Sequence, residues 1–158
     1  MIREEYKLEN QLCFRVHRLS RLFIKMYQPL LNRLGITYPQ YLVLLVLWER
    51  GSIDYQELAD RLELKTGTLT PIIQRLEKMD LVRRSKNPVD MRKTAVSLRD
   101  GGIAMKEKLE DHAEELSKLL DNLDTGRYEN FAKMVDQVTD DFFRLGSYIS
   151  EYESQYEK

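Results

Sequence analysis

The chain has 158 residues, 42% of them apolar and 32% charged, with a net charge of −1 and a single cysteine. That length suits one domain with an apolar core, and a lone cysteine excludes an internal disulfide and fits a reducing compartment. No run of about 18 apolar residues occurs, and the N-terminal MIREEYKLEN has no apolar stretch, so a soluble, cytoplasmic protein that does not engage a membrane is expected.

Residues 8–34 read as one long helix, apolar at Leu8, Leu12, Val16, Leu19, Phe23, Met26, Leu30 and Leu34 in three- and four-residue steps and closed by Gly35. Thr37-Tyr38-Pro39-Gln40 has the form of a capping box opening a second helix through about residue 50. Its run over residues 42–48 is apolar nearly all round, which places it at the centre of the core. Asp54-Tyr55-Gln56-Glu57 opens a short third helix. A tight link, Glu63-Leu64-Lys65, leads to a fourth over about residues 66–80, in which Pro71 costs one backbone hydrogen bond and Leu69, Ile72, Ile73 and Leu76 form the inner stripe. Residues 81–85 and 94–98 read as the two strands of a β-hairpin with a basic tip and turn chemistry at Asn87-Pro88. Asp100-Gly101-Gly102 punctuates the chain before two long amphipathic helices, over about residues 103–123 and 125–152.

The expected fold is mainly α with a small β-hairpin. A winged helix-turn-helix lobe (37–102) lies between long terminal helices (1–36 and 103–158). Apolar stripes of that length have little to pack on within one chain, and a two-fold homodimer is the common answer. Charge follows the same division: residues 61–93 carry nine Lys/Arg against four Asp/Glu, whereas residues 107–158 carry six against fourteen. A contact with nucleic acid would therefore be local to the lobe.

A recognition helix needs short polar groups near its start to reach base edges and basic groups to hold phosphates. Thr66, Thr68 and Thr70 cluster there behind Lys65, with Gln74 and Arg75 one to two turns further on. Thr can hydrogen-bond a base or lay its methyl on thymine, Gln suits adenine, and Arg suits guanine or phosphate. The hairpin adds Arg83, Arg84, Lys86, Arg92 and Lys93, suited to the minor groove or the flanking backbone. The alternative for any one of these is a helix cap or a solvated turn; the order of elements carries the reading as a double-stranded DNA-binding protein.

LENQLCF (8–14), YQPLLNRLGITYPQYLVLLVLWE (27–49), LELKTGTLTPIIQRLEKMDLVRR (62–84) and the D-x-R pair Asp90 and Arg92 together resemble the MarR family, and within it the organic hydroperoxide sensors. The resemblance covers about residues 8–109; the last fifty residues match only in being helical. It implies a homodimer joined by the terminal helices and an inverted-repeat operator read by two winged lobes. Two departures stand out. Lys65 and Thr66 replace the Asp and Ser of the family segment LDSGTLTP, and the wing reads Asp90-Met91-Arg92 where the family has DER. The first puts a positive charge at the helix that reads bases.

Cys13 lies near Arg15, Arg18 and, one turn on, His17. A sensing thiol must be largely thiolate and reachable; a buried cysteine that only fills space is the alternative. In the resembled sensors two tyrosines hold the cysteine, and the matching positions here are Tyr27 and Tyr38. Fourteen residues along one helix span about 21 Å, so Tyr27 and Tyr38 can meet Cys13 only from the other subunit. With no second cysteine, oxidation would run from sulfenic acid to a mixed disulfide with a low-molecular-weight thiol, or to irreversible over-oxidation. No metal-ligand spacing, P-loop, G-x-S-x-G or H-E-x-x-H occurs, so neither an enzyme nor a cofactor is expected. Two other readings stay open: a regulator released by a small aromatic ligand, with Cys13 merely structural, and a dimeric helical interaction protein that does not bind DNA.

Overall fold

Two short 3-10 turns, Glu4–Tyr6 and Leu8–Asn10, lead into α1 (Leu12–Leu34) in the computed structural model, which describes residues 3–86, 90–120 and 125–156, with the side chains of 111–120, 125 and 147–156 left out. The first helix thus starts four residues later than its apolar period suggests. The side chains of Asn10 and Gln11 donate to the carbonyls of Glu4 and Glu5 at 2.8 and 2.7 Å, and such local bonds compete with helix formation. At the other end Gly35 adopts φ +69°, and the Ile36 N–H closes on the Leu31 carbonyl at 3.0 Å, the left-handed stop that glycine makes without steric penalty.

The capping box at Thr37 opens α2 (Tyr38–Arg50), with the Thr37 N–H donating to Gln40 Oε1 at 2.8 Å. As its composition requires, α2 is the centre of the core: Val43, Leu44 and Leu47 are fully buried, against Leu58 of α3 (Tyr55–Arg61), Leu69, Ile73 and Leu76 of α4 (Thr66–Lys78) and Val96. Each leucine buried this way stabilises the fold by about 1.5–3 kcal/mol. Asp54 caps α3 by accepting from the N–H groups of Gln56 and Glu57. The α3–α4 link turns at Glu63, φ +53°, where the Leu64 N–H reaches the Ala59 carbonyl at 2.9 Å.

The wing has three strands rather than two. Strands β2 (Val82–Lys86) and β3 (Thr94–Leu98) form the expected hairpin, and β1 (Ser52–Asp54) adds to the far edge of β3 in the order β1-β3-β2, with Ile53 opposite Val96. Three residues are too few to show a strand period; β1 exists because β3 offers it an edge. The Asn87-Pro88 turn falls outside the described residues.

A second correction concerns Asp100-Gly101-Gly102, which does not interrupt the chain but forms the first turn of α5 (Asp100–Leu120). The glycines serve close approach: a Cβ on Gly101 would lie 2.9 Å from the Asp80 carbonyl oxygen, and one on Gly102 would collide with that of Leu81. The Gly102 carbonyl in turn accepts from Trp48 Nε1 at 2.8 Å, tying α2 to α5. We expect Gly102→Ala to lower stability by about 1–3 kcal/mol, because a clash against backbone outweighs the gain in helix propensity. A fall in the urea midpoint at unchanged slope checks this.

Residues Met1–His112 and Ala113–Lys158 form two compact units, and α6 (Thr125–Tyr156) belongs to the second. Apolar side chains of α6 stand in solvent, with Phe142 and Phe143 61% and 60% exposed. On α1, Leu12, Val16, Leu19, Leu22 and Met26 are exposed likewise. Among the described residues no single helix is long and apolar enough to cross a membrane.

Candidate DNA interface and thiol site

Helix α4 buries Leu69, Ile73 and Leu76 and turns Thr66, Thr68, Gln74 and Arg75 outward. Lys65, at the N-cap, is exposed and makes no side-chain cap, so the first N–H groups of the helix stay open to an acceptor. The expected base-reading face is therefore outward along its length.

The start of α4 meets the wing across an open concavity of about 480 Å³, lined by Thr66, Thr70, Tyr55, Arg84, Arg92 and Lys93 among others. This brings five of the residues singled out in the sequence into one place. Lys65, Thr68, Gln74, Arg75, Arg83, Lys86 and Asp90 lie outside it. Asp90 shapes the turn that presents its neighbours: its Oδ1 accepts from the Arg92 N–H at 3.0 Å and its carbonyl from the Lys93 N–H at 2.9 Å.

Two of the gathered residues are less free than their type suggests. The Thr70 hydroxyl donates to the Thr66 carbonyl at 2.8 Å, so the Tyr55 hydroxyl, also 2.8 Å away, must donate to Thr70. Thr70 is thereby a brace between α3 and α4. Arg84 points from β2 onto α4 and meets Glu77: Nη2 lies 2.7 Å and Nε 3.1 Å from Oε2, while the backbone N–H reaches Oε1 at 3.1 Å. Hydrogen bonding from Arg84 holds the Glu77 carboxyl below the ordinary range against the opposing effect of burial, so the pairing favours its charged form. Neither Glu77 nor Tyr55 was foreseen as a site residue; an acidic residue on the recognition helix seven positions before an arginine on the wing was the available signal.

Cys13 is exposed in the first turn of α1, and α1 runs unbroken from there to Tyr27. His17 is exposed one turn on, while Arg15 Nε turns back to the Glu9 carbonyl at 3.0 Å. At the far end Tyr27 meets Tyr38 with ring centroids 5.7 Å apart, and Tyr41, which the sequence reading missed, packs on both at 5.7 and 6.2 Å. Trp48 extends the stack from Tyr41 at 6.3 Å. Tyr38, Tyr41 and Trp48 sit three and seven residues apart, a helical spacing that was there to be read. Burial first, then the neighbouring Tyr27, raises the Tyr38 and Tyr41 hydroxyls above the ordinary tyrosine value, so both remain proton donors at neutral pH. Among the described residues no three His, Cys, Asp or Glu side chains come together as metal ligands would.

A helix-turn-helix with its second helix turned outward, flanked by a three-stranded wing whose Arg84, Arg92 and Lys93 line the same concavity, defines a winged helix-turn-helix protein. Comparison with known proteins makes the class specific. The sequence model of the MarR family matches residues 36–94. Over 108 residues the chain is 44% identical to the organic hydroperoxide resistance transcriptional regulator of Bacillus subtilis, an alignment covering 68% of this chain and 74% of that one. Its fold is similar to reduced AbfR bound to DNA, with TM-score 0.73 and 33% identity over 90% of this chain and 99% of that one; AbfR is a protein of Staphylococcus epidermidis, solved also over-oxidised on DNA and in a disulfide form. A mutant MarR of E. coli complexed with operator DNA is similar at TM-score 0.74 and 27% identity, over 80% and 92% of the two chains. The chain belongs to the MarR family of transcriptional regulators.

Proposed function

We propose that the protein is a cytoplasmic, homodimeric repressor that binds an inverted-repeat operator through α4 and the wing and leaves it when Cys13 is oxidised by an organic hydroperoxide. The observation that carries this reading is the placement of Cys13: exposed, among the exposed apolar side chains Leu12, Val16 and Leu19 of α1. A second copy laid on that stripe covers it and brings its own paired Tyr27 and Tyr38 within reach of a thiol their own chain holds about 21 Å away. Likeness to the hydroperoxide regulator supports the same reading. In this scheme Lys65, Thr66, Thr68, Gln74 and Arg75 face the major groove, and Lys86, Arg92 and Lys93 the flanking backbone, with Thr70, Arg84 and Asp90 positioning them.

The chemistry needs no other group on the protein. The Cys13 thiolate attacks the terminal peroxide oxygen, the O–O bond breaks, and the alkoxide leaves as the alcohol once protonated, with phenol donors and His17 beside the new sulfenic acid. A small thiol then displaces water to give a mixed disulfide. Because the over-oxidised form of AbfR was solved on DNA, the bulkier thiol adduct, rather than an oxyacid, is assigned here as the species that forces the dimer helices apart.

The test is one equivalent of organic hydroperoxide, with and without a low-molecular-weight thiol, followed by intact mass and operator binding. Adduct mass on Cys13 should rise in step with loss of binding. Release from DNA without any change of mass at Cys13 would sink the reading.

A further inference from the structure

Glu77 stands on the recognition helix, where a negative charge repels phosphate, and its carboxylate is saturated by one residue. Both oxygens accept from Arg84 Nε at 3.1 Å, Oε2 accepts from Nη2 at 2.7 Å, and Oε1 also accepts from the Arg84 backbone N–H at 3.1 Å. The backbone bond matters most, because it fixes the strand and not only the side chain. Alternation along β2 puts Val82, Arg84 and Lys86 on the face toward α4; Val82 is buried there, so Arg84 occupies the next step outward, at the rim. Its guanidinium also lines the concavity with Thr66, Arg92 and Lys93. The side chains of Glu77 and Arg84 are 27% and 35% exposed, both open to solvent. One of the interface cations is therefore neutralised before any DNA arrives.

We propose that Glu77 is a specificity-determining positioning residue: it locks the wing to the recognition helix and withholds the Arg84 charge from phosphate. The inference rests on the DNA-binding reading above. A free arginine at this rim would grip any duplex, raising affinity for all sequences alike, since phosphate contacts carry no sequence information. Bound to Glu77, it spends its charge on fixing the angle between wing and helix, which only a correctly spaced pair of grooves can match.

The experiment compares the duplex that wild-type protein enriches from a random pool with an unselected random duplex, each titrated against salt. Wild-type protein that enriches no sequence would refute the DNA-binding reading itself, and this inference with it. Given an enriched duplex, Glu77→Gln keeps an oxygen for the Arg84 N–H but removes the charge. It should bind random duplex more tightly at low salt, steepen the slope of log K against log salt by about 0.9 per subunit, and lower the ratio of specific to random binding about tenfold. Glu77→Ala combined with Arg84→Met, which removes both charges together, should keep the wild-type slope. Thermal melts establish that each variant is folded, and Glu77→Gln carries the test where an alanine does not fold. A brace that serves stability alone would lower the melting temperature and leave slope and ratio at wild-type values, which overturns the proposal. So would a shallower slope in that double variant, since it would place Arg84 on phosphate already.

Discussion

Cys13→Ser is expected to hold the operator in the presence of an organic hydroperoxide that weakens wild-type binding by about 5–150-fold, the usual span of a coupling between two sites. The exchange swaps sulfur for oxygen at an exposed position in the first turn of α1, so its effect on stability should stay within about 0.5 kcal/mol. A serine hydroxyl does not attack a peroxide, and no other cysteine exists to take over. Untreated, the variant should match wild type on DNA, which separates loss of sensing from loss of binding. Titration by fluorescence anisotropy before and after peroxide reads both. Release of the serine variant by peroxide would remove the thiol from the mechanism and turn attention to a small ligand.

Placing charge in the α1 stripe, with Val16→Glu and Leu19→Glu together, should convert a dimer to monomer and weaken operator binding about a thousandfold, toward the level of non-specific contact. Leu12, Leu19 and Met26 repeat every seven residues, and Val16 leads the interleaved series through Phe23 to Leu30. Such a period forms a seam that meets a copy of itself. Val16 and Leu19 are 58% and 36% exposed, so the substitution disturbs little inside the chain, and the fold should survive while association fails. Sedimentation velocity and an operator titration on the same sample check the two halves. An intact dimer would place the interface elsewhere, with the exposed apolar side chains of α6 as the next surface to test.

Features written in consecutive residues were legible before the structure. The box at Thr37 and Gln40, the Asp54 cap, the alternation of 94–98 and the stripe of α4 each depend on neighbours within a few positions. What escaped notice depends on distance along the chain. Strand β1 is defined by pairing Ser52 with Ser97, and the need for Gly102 comes from Leu81 and Trp48. The same holds within the site. Sequence shows that Arg84 and Thr70 are the right residue types for nucleic acid, but not that Glu77 and Tyr55 have already engaged them. Tyr27 and Tyr38 were matched by resemblance, and the ring contact between them came with Tyr41 as a third member. Functional groups were thus easier to list than to rank, because rank depends on which hydrogen-bonding capacity the fold has already used.

The solvent-facing rings of Phe142 and Phe143 and the bare stripe of α1 bear on how much of this regulator a cell must keep. Surface that is covered only by a second copy makes the folded population a function of the protein's own concentration, through mass action. Abundance then enters stability directly. In the proposed dimer, as synthesis slows and dilution proceeds, the protomers would come apart, apolar surface would be uncovered, and the chain would become a better substrate for proteolysis. Removal of the regulator would thus accelerate as its level drops, and a promoter it controls would switch over a narrower range of regulator concentration than simple occupancy allows.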